Sequence, residues 1–282
     1  MKIGMRRCLF LCLMVLSQYC YSQRIIGAGM DEPVKLPKEE VLDTSKFQCV
    51  YQHLVYEPER DEMRDYYEIL LVGDSHSKYE DYAAYQLDSL MKTISAEKMT
   101  VNDYFSLSMR YKPEPESLIR DFKSNRITFY GRVYIDSYVY EESVPALSWK
   151  LENATKEVCG YLCHKATTTF RGRVWTAWYS DIPVNNGPWK FGGLPGLILG
   201  LEDAKGEHKF KAVGFKKDTV GFGYQKRNYM KTKREQYNAA LAKYKAEAWK
   251  MVESTELHPK NADGTPVKIP HRKLFYNPIE LE

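Results

Sequence analysis

A two-residue periodicity constrains this chain more than any other feature. In the stretch from Arg126 to Ile135, Ile127, Phe129, Val133 and Ile135 alternate with Thr128, Tyr130, Arg132 and Tyr134, the pattern of a strand with one buried face. Comparable runs occupy 47–57, 65–73, 164–173, 174–180 and 197–203, and aromatic and β-branched residues dominate them. The turn Asp203-Ala-Lys-Gly206 joins the last run to residues 207–215 as a hairpin. Strands linked this way pair with their neighbours in sequence. The expected fold is therefore α+β and mainly antiparallel β: a curved meander sheet or half-barrel with one or two covering helices.

Two segments depart from that period. Ser77-Lys-Tyr-Glu80 reads as a capping box, and Ala83, Leu87, Leu90, Met91 and Ile94 follow at helical spacing, which predicts a helix over 78–95. Tyr237, Leu241, Tyr244, Ala248 and Met251 predict a second over 231–253. The charged stretch 57–65 reads as a solvated hairpin loop, and 256–273 as a Pro- and Gly-containing loop.

The amino terminus reads as an address. Lys2, Arg6 and Arg7 precede an apolar run, Cys8 to Leu16, that is too short to span a bilayer. This is the form of a secretory signal, with cleavage expected after Ser22. Residues 23–44 are then an exposed leader and 45–282 one β-rich domain. Loss of three basic residues from 41 leaves 38 against 37 acidic, a balance with no support for nucleic-acid binding. No other window could cross a membrane. Three of six cysteines leave with the signal, and Cys49, Cys159 and Cys163 remain in a compartment where disulfides form. Cys159 and Cys163 are too close in sequence to bridge along one strand, so Cys49 is expected to pair with Cys163, or failing that with Cys159. A metal reading of Cys159, Cys163 and His164 lacks a fourth ligand, so neither metal nor cofactor is expected.

The block from Cys159 to Leu199 is unusually rich in Gly, Pro and Trp. Trp189, Phe191, Gly193, Leu194, Pro195 and Gly196 form a candidate binding loop; the alternative is that its apolar residues plug the end of the sheet. Gly193-Leu-Pro-Gly-Leu-Ile198 is the signature of the bacterial GLPGLI family, and this chain resembles that family further at Lys165-Ala-Thr167, Phe170-Arg-Gly-Arg173, Trp178-Tyr179, Asp181-Ile-Pro183, Gly187-Pro188 and Tyr276-Asn-Pro-Ile-Glu280. The resemblance implies a secreted protein of the Gram-negative periplasm or cell envelope, and carries no catalytic residue with it.

An enzyme reading has one foothold. Residues 69–77, ILLVGDSHS, are similar to the first block of the SGNH hydrolases, with Ser75 in the nucleophile's place. No His has an Asp three residues before it, and the mechanism needs a base for the serine proton. Metalloprotease, phosphate-loop and dinucleotide motifs are missing too. With no complete catalytic set, the expectation is a non-enzymatic binding or carrier module for an apolar ligand, peptide or envelope partner; the alternative is a serine esterase using Ser75. Between Lys226 and Lys250, eight basic residues face two acidic ones, so Lys233, Lys243 and Lys250 form either a solvated helix face or a surface for anionic partners.

Overall fold

The computed structural model describes residues 29–94, 99–254, 258–261 and 263–282. The expected signal segment 1–22, with Cys8, Cys12 and Cys20, lies outside the described residues.

The expected mainly antiparallel α+β fold is what forms. Strands β2 (Phe47–Glu57) and β3 (Glu62–Val72) make a long hairpin in the register Phe47↔Val72 to Glu57↔Glu62. From β3 the chain meanders through β4 (His76–Asp81), β5 (Ser117–Asp121), β6 (Arg126–Val133) and β7 (Asp136–Ser143). A second meander runs through β8 (Lys150–Val158), β9 (Tyr161–Phe170) and β10 (Arg173–Ser180). After the Gly- and Pro-rich loop, β11 (Ile198–Asp203) pairs back onto β10, and β12 (His208–Lys217) joins β11 to β2. The turn between β11 and β12 is the expected one, with Gly206 at φ +70°.

A two-residue strand β14 (Met230–Lys231) adds in parallel to β7, and a separate ribbon pairs β1 (Glu39–Thr44) with β13 (Gly221–Gln225). The resulting order, β14-β7-β6-β5-β4-β3-β2-β12-β11-β10-β9-β8, leaves β14 and β8 as edges and no closed barrel.

Among the described residues three helices flank the sheet: α1 (Tyr82–Thr93), α2 (Val101–Tyr111) and α3 (Arg234–Glu253). The first begins four residues later than the capping-box reading placed it. Ser77 to Glu80 are strand residues, paired on both sides by β3 and β5, and two ladders outweigh one local cap. Asp81 caps the helix instead, its carboxylate accepting from Ala84 N–H at 2.8 Å. Helix α2 was missed by the sequence reading, although Thr100 and Asp103 close a capping box on it. Nor are residues 29–44 wholly an exposed leader: Val34 and Leu36 pack against Leu87, Met91 and Met99, and β1 is paired.

The run Ile69-Leu-Leu-Val72 is buried without alternation because both faces of β3 are covered. Leu70 and Val72 face the main core with Tyr51, Phe129 and Tyr237, while Ile69 and Leu71 meet Phe222 of β13 and Tyr82 and Tyr85 of α1. A second cluster joins Trp175, Phe191, Leu194, Ile198 and Phe210. Helix α3 seats Tyr237 against Phe129 and Tyr140. Gly131 makes that possible, because a Cβ there would collide with the Tyr237 ring and hydroxyl.

Candidate functional site

The curved sheet leaves a cavity of about 500 Å³. Its floor is built from β2, β3, β4, β6, β7 and β12, which contribute His53, Glu68, Tyr79, Phe129, Tyr140 and His208. One wall is α3 with Tyr237, Leu241, Tyr244 and Lys245; another is the 113–116 linker; the last is the carboxy-terminal tail from Leu274 to Glu280. A space of this size suits a small ligand or a side chain of a larger one.

The tail is held by buried charge. Lys190, whose side chain is fully buried, reaches Glu142 at 2.5 Å and Glu280 at 2.6 Å, and the Tyr140 hydroxyl lies 3.2 Å from its Nζ. Glu280 also accepts from Trp189 Nε1–H at 2.8 Å and from Arg234 at 3.2 Å, with Arg171 3.5 Å away. One turn further along the chain, Arg173 binds Asp203 at 3.0 Å and Glu207 at 2.6 Å, and donates to Asn277 Oδ1 at 2.8 Å and the Pro278 carbonyl at 2.9 Å. The two arginines of Phe170-Arg-Gly-Arg173 and the lysine of the Gly-rich loop therefore clip Tyr276-Asn-Pro-Ile-Glu280 over the cavity. These residue types suit the task, because buried carboxylates need several donors each.

Inside the cavity, side chains form a hydrogen-bonded chain. The Tyr79 hydroxyl donates to Glu68, His53 Nδ1 lies 3.2 Å from the other Glu68 oxygen, and His53 Nε2 lies 3.1 Å from His208 Nδ1. Burial, with like charge from His53 and Arg173, pushes His208 down to about 3, so it is neutral at physiological pH. Glu116 accepts from the Tyr237 hydroxyl at 2.9 Å, and burial raises its carboxyl above the usual range. Asp81 rises to about 6 for the same reason, despite the amide N–H groups of Ala84 and Glu114 that it accepts.

Few of the residues singled out by sequence reach this cavity. Trp189 lines it, held at φ +54° between Phe129 and Glu280. Phe191 and Leu194 do not: they are 0% and 3% exposed in the core, and a Cβ on Gly196 would collide with the Ser180 carbonyl. Gly193 and Pro195 are exposed beside this plug. The candidate binding loop is thus corrected to a core plug, which ties the β4–β7 wing to the β9–β11 wing through Asn186 to Ser77 and Arg120 to the Asn185 carbonyl.

The expected disulfide is corrected as well. Cys49, Cys159 and Cys163 are free thiols. Cys49 on β2 and Cys163 on β9 are four strands apart but share one core cluster, with Cys159 packed against it, and neither Cys163 nor Cys159 bridges Cys49; burial raises Cys49 and Cys163 to about 12 and about 11. The basic surface is also dispersed. Arg234 turns into the Glu280 cluster, Lys226 pairs with Glu40, Lys250 pairs with Glu247, and Lys245 lines the cavity. Lys233, Lys243 and Lys250 are exposed but spread over ~25 Å of a helix that is kinked at Glu247.

Ser75 sits in a turn. Its N–H and hydroxyl both donate to Asp43, at 2.7 Å and 3.0 Å, and His76 Nδ1 is 2.8 Å from its hydroxyl. The acid contacts the serine rather than orienting the histidine, and the sheet is antiparallel around it, unlike the doubly wound sheet that the hydrolase resemblance requires. The tail, the 113–116 linker and the His53–His208 pair were missed by the sequence reading. Only the similarity of Tyr276 to Glu280 to a family ending pointed toward the tail.

Comparison with known proteins adds the following. A family described as "Protein of unknown function (Porph_ging)" matches residues 171–200, the stretch that holds Arg171, Arg173, Lys190 and the core plug. No curated protein matches. The structure of PNGF-II in its P21 crystal form is similar over 72% of this chain at 15% identity and a TM-score of 0.50, and its C2 form gives 15% and 0.47 over the same share. This chain spans only 34% of PNGF-II's length. The likeness to PNGF-II is one of fold, and the short family match places the clip-and-plug segment of this chain beside a family whose function is unknown.

Proposed function

We propose that this is a non-enzymatic binding or carrier protein of the bacterial cell envelope, and that its ligand sits in the cavity under α3 and the tail. The cavity carries the proposal: about 500 Å³ of space walled by an ion cluster that holds a chain terminus in place over it. Export is supported by the amino-terminal signal pattern and the GLPGLI resemblance, and no helix among the described residues is long and apolar enough to cross a membrane. The partner expected from sequence is an apolar ligand, a peptide or another envelope component. Tyr66, Tyr134, Tyr237, Tyr244 and Tyr276 around Glu68 and Glu116 suit a ligand that is polar at one end and stacks along its body.

The test is native mass spectrometry of protein recovered from its own envelope, alongside Leu241→Trp. Leu241 lines the cavity from α3 and is half-buried, so an indole there fills the space without disturbing the sheet. A bound mass on the wild type that is lost in the variant is the expected result. Wild-type protein that carries no adduct and binds nothing from an envelope extract overturns the reading. The esterase reading keeps only the Ser75–His76 contact, and a Ser75→Ala variant with unchanged ester turnover ends it.

A further inference from the structure

The carboxylates of the cavity are unevenly matched by cationic side chains. Of its lining carboxylates, Glu80 is paired with Lys78 and Glu280 with Lys190 and Arg234. Asp81 and Glu116 are answered by backbone N–H groups and a tyrosine hydroxyl alone, and Glu114 stands exposed beside them. Among the basic lining groups, Arg64 is taken up by Glu57 at 2.6 and 2.8 Å. Lys245 and Arg132 remain, and Lys245 attracts Glu116 through space.

His208 supplies an independent observation. It is 1% exposed, lines the cavity, and its Nε2 has no hydrogen-bond partner. Its tautomer follows from the chain of contacts. With Glu68 as a carboxylate, His53 Nδ1 must donate to it; His53 Nε2 is then an acceptor, and His208 Nδ1 donates to that. His208 Nε2 is left with a lone pair. The tail groups of Asn277 and Pro278 approach it without meeting hydrogen-bond geometry, and their acceptors are already served by Arg173. A buried acceptor without a donor is costly, and a bound N–H group removes that cost.

We infer that the ligand is an organic cation, a primary ammonium or guanidinium whose N–H groups meet Glu116, Asp81 and His208 while Tyr237 and Tyr244 flank its charge and stem. The inference rests on the cavity being the binding site. Tyrosine faces attract such cations, and partial desolvation strengthens their attraction to carboxylates relative to water. A neutral ligand could donate to the same acceptors but would bring no charge to the carboxylates, and charge-assisted hydrogen bonds are the stronger ones.

Calorimetry with 4-methylbenzylammonium and its neutral isostere 4-methylbenzyl alcohol tests this on the full chain at low salt. The expected result is at least tenfold tighter binding of the ammonium. In Glu116→Gln, where the amide oxygen still accepts from Tyr237, that advantage falls at least fivefold while alcohol binding is unchanged. Spermidine and an acetylated Gly-Lys-Gly amide then separate a free polyamine from a peptide side chain, and the tighter of the two identifies the source. Alcohol binding as tightly as the ammonium, or both probes weakening equally in Glu116→Gln, overturns the cation while leaving the cavity as a binding site. If neither probe binds, the cation inference falls, and the envelope-extract experiment alone decides the cavity.

Discussion

Replacing Glu280 tests whether the tail is a structural clip. In the native protein this carboxylate is 4% exposed at its side chain and meets Lys190 at 2.6 Å, Arg234 at 3.2 Å and Trp189 Nε1 at 2.8 Å. In Glu280→Ala, Lys190 is left facing Glu142 as its one carboxylate partner and is still fully buried, while Arg234 keeps Glu235 and a longer contact to Glu142. Removing one partner from a buried ion pair costs about 3–5 kcal/mol, because the other charge stays desolvated. For a chain of this size that corresponds to a Tm lower by roughly 6–20 °C. Urea and thermal unfolding followed by circular dichroism measure it. Because the tail is also a cavity wall, the same variant is expected to lose bound ligand. The double variant Glu280→Gln, Lys190→Met removes both charges together and should recover a large part of the loss, since a buried pair replaced by uncharged groups is often close to neutral. A Glu280→Ala cost below about 1 kcal/mol would refute the reasoning, as would a double variant less stable than the single, and the tail would then be a loosely apposed strap.

Three further outcomes follow from the same structure. Phe191→Ala should cost about 3–5 kcal/mol, because the ring is fully buried between Trp175 and Phe170; a loss under 1 kcal/mol in urea unfolding would return the loop to the surface. Asp81→Asn keeps the helix cap and removes a carboxyl raised from 3.8 to about 6. Its folded value lies above its unfolded one, so its ionisation destabilises the native state as pH rises through that window; after allowance for partial exposure, the Asn variant should be about 1–2 kcal/mol more stable at pH 7.5 and indistinguishable at pH 4, and a difference independent of pH would contradict this. Native thiol labelling at pH 8 should reach half-buried Cys159 at least ~100-fold faster than Cys49 or Cys163, whose burial holds them protonated; a Cys49–Cys163 crosslink that mass mapping finds without reductant and loses with it would show the disulfide to be real.

Most of the architecture was legible because strand formation is a local matter. The alternation at 126–135, the hairpin turn Asp203 to Gly206 and the apolar stripe Tyr237, Leu241, Tyr244 each depend on residues a few positions apart, and each appears where the pattern placed it except that β6 ends at Val133 and leaves Ile135 exposed in a turn. The sequence also determined that Gly193 to Ile198 would be an ordered, special backbone. It could not determine which way that loop faces. Phe191 and Leu194 are equally suited to a ligand surface and to a core, and the choice was made by Trp175 and Phe210 on strands separated in sequence but adjacent in the sheet. The same limit applies at Ser77, where two flanking ladders overrode a capping signal, and at Cys49, whose position relative to Cys163 depends on how the sheet curves. The cavity is the extreme case. His53 and His208 are 155 residues apart, and Lys190 and Glu280 are 90 apart; no spacing rule links such pairs, because only the curvature of the sheet and the return of the tail across it bring them within hydrogen-bonding distance.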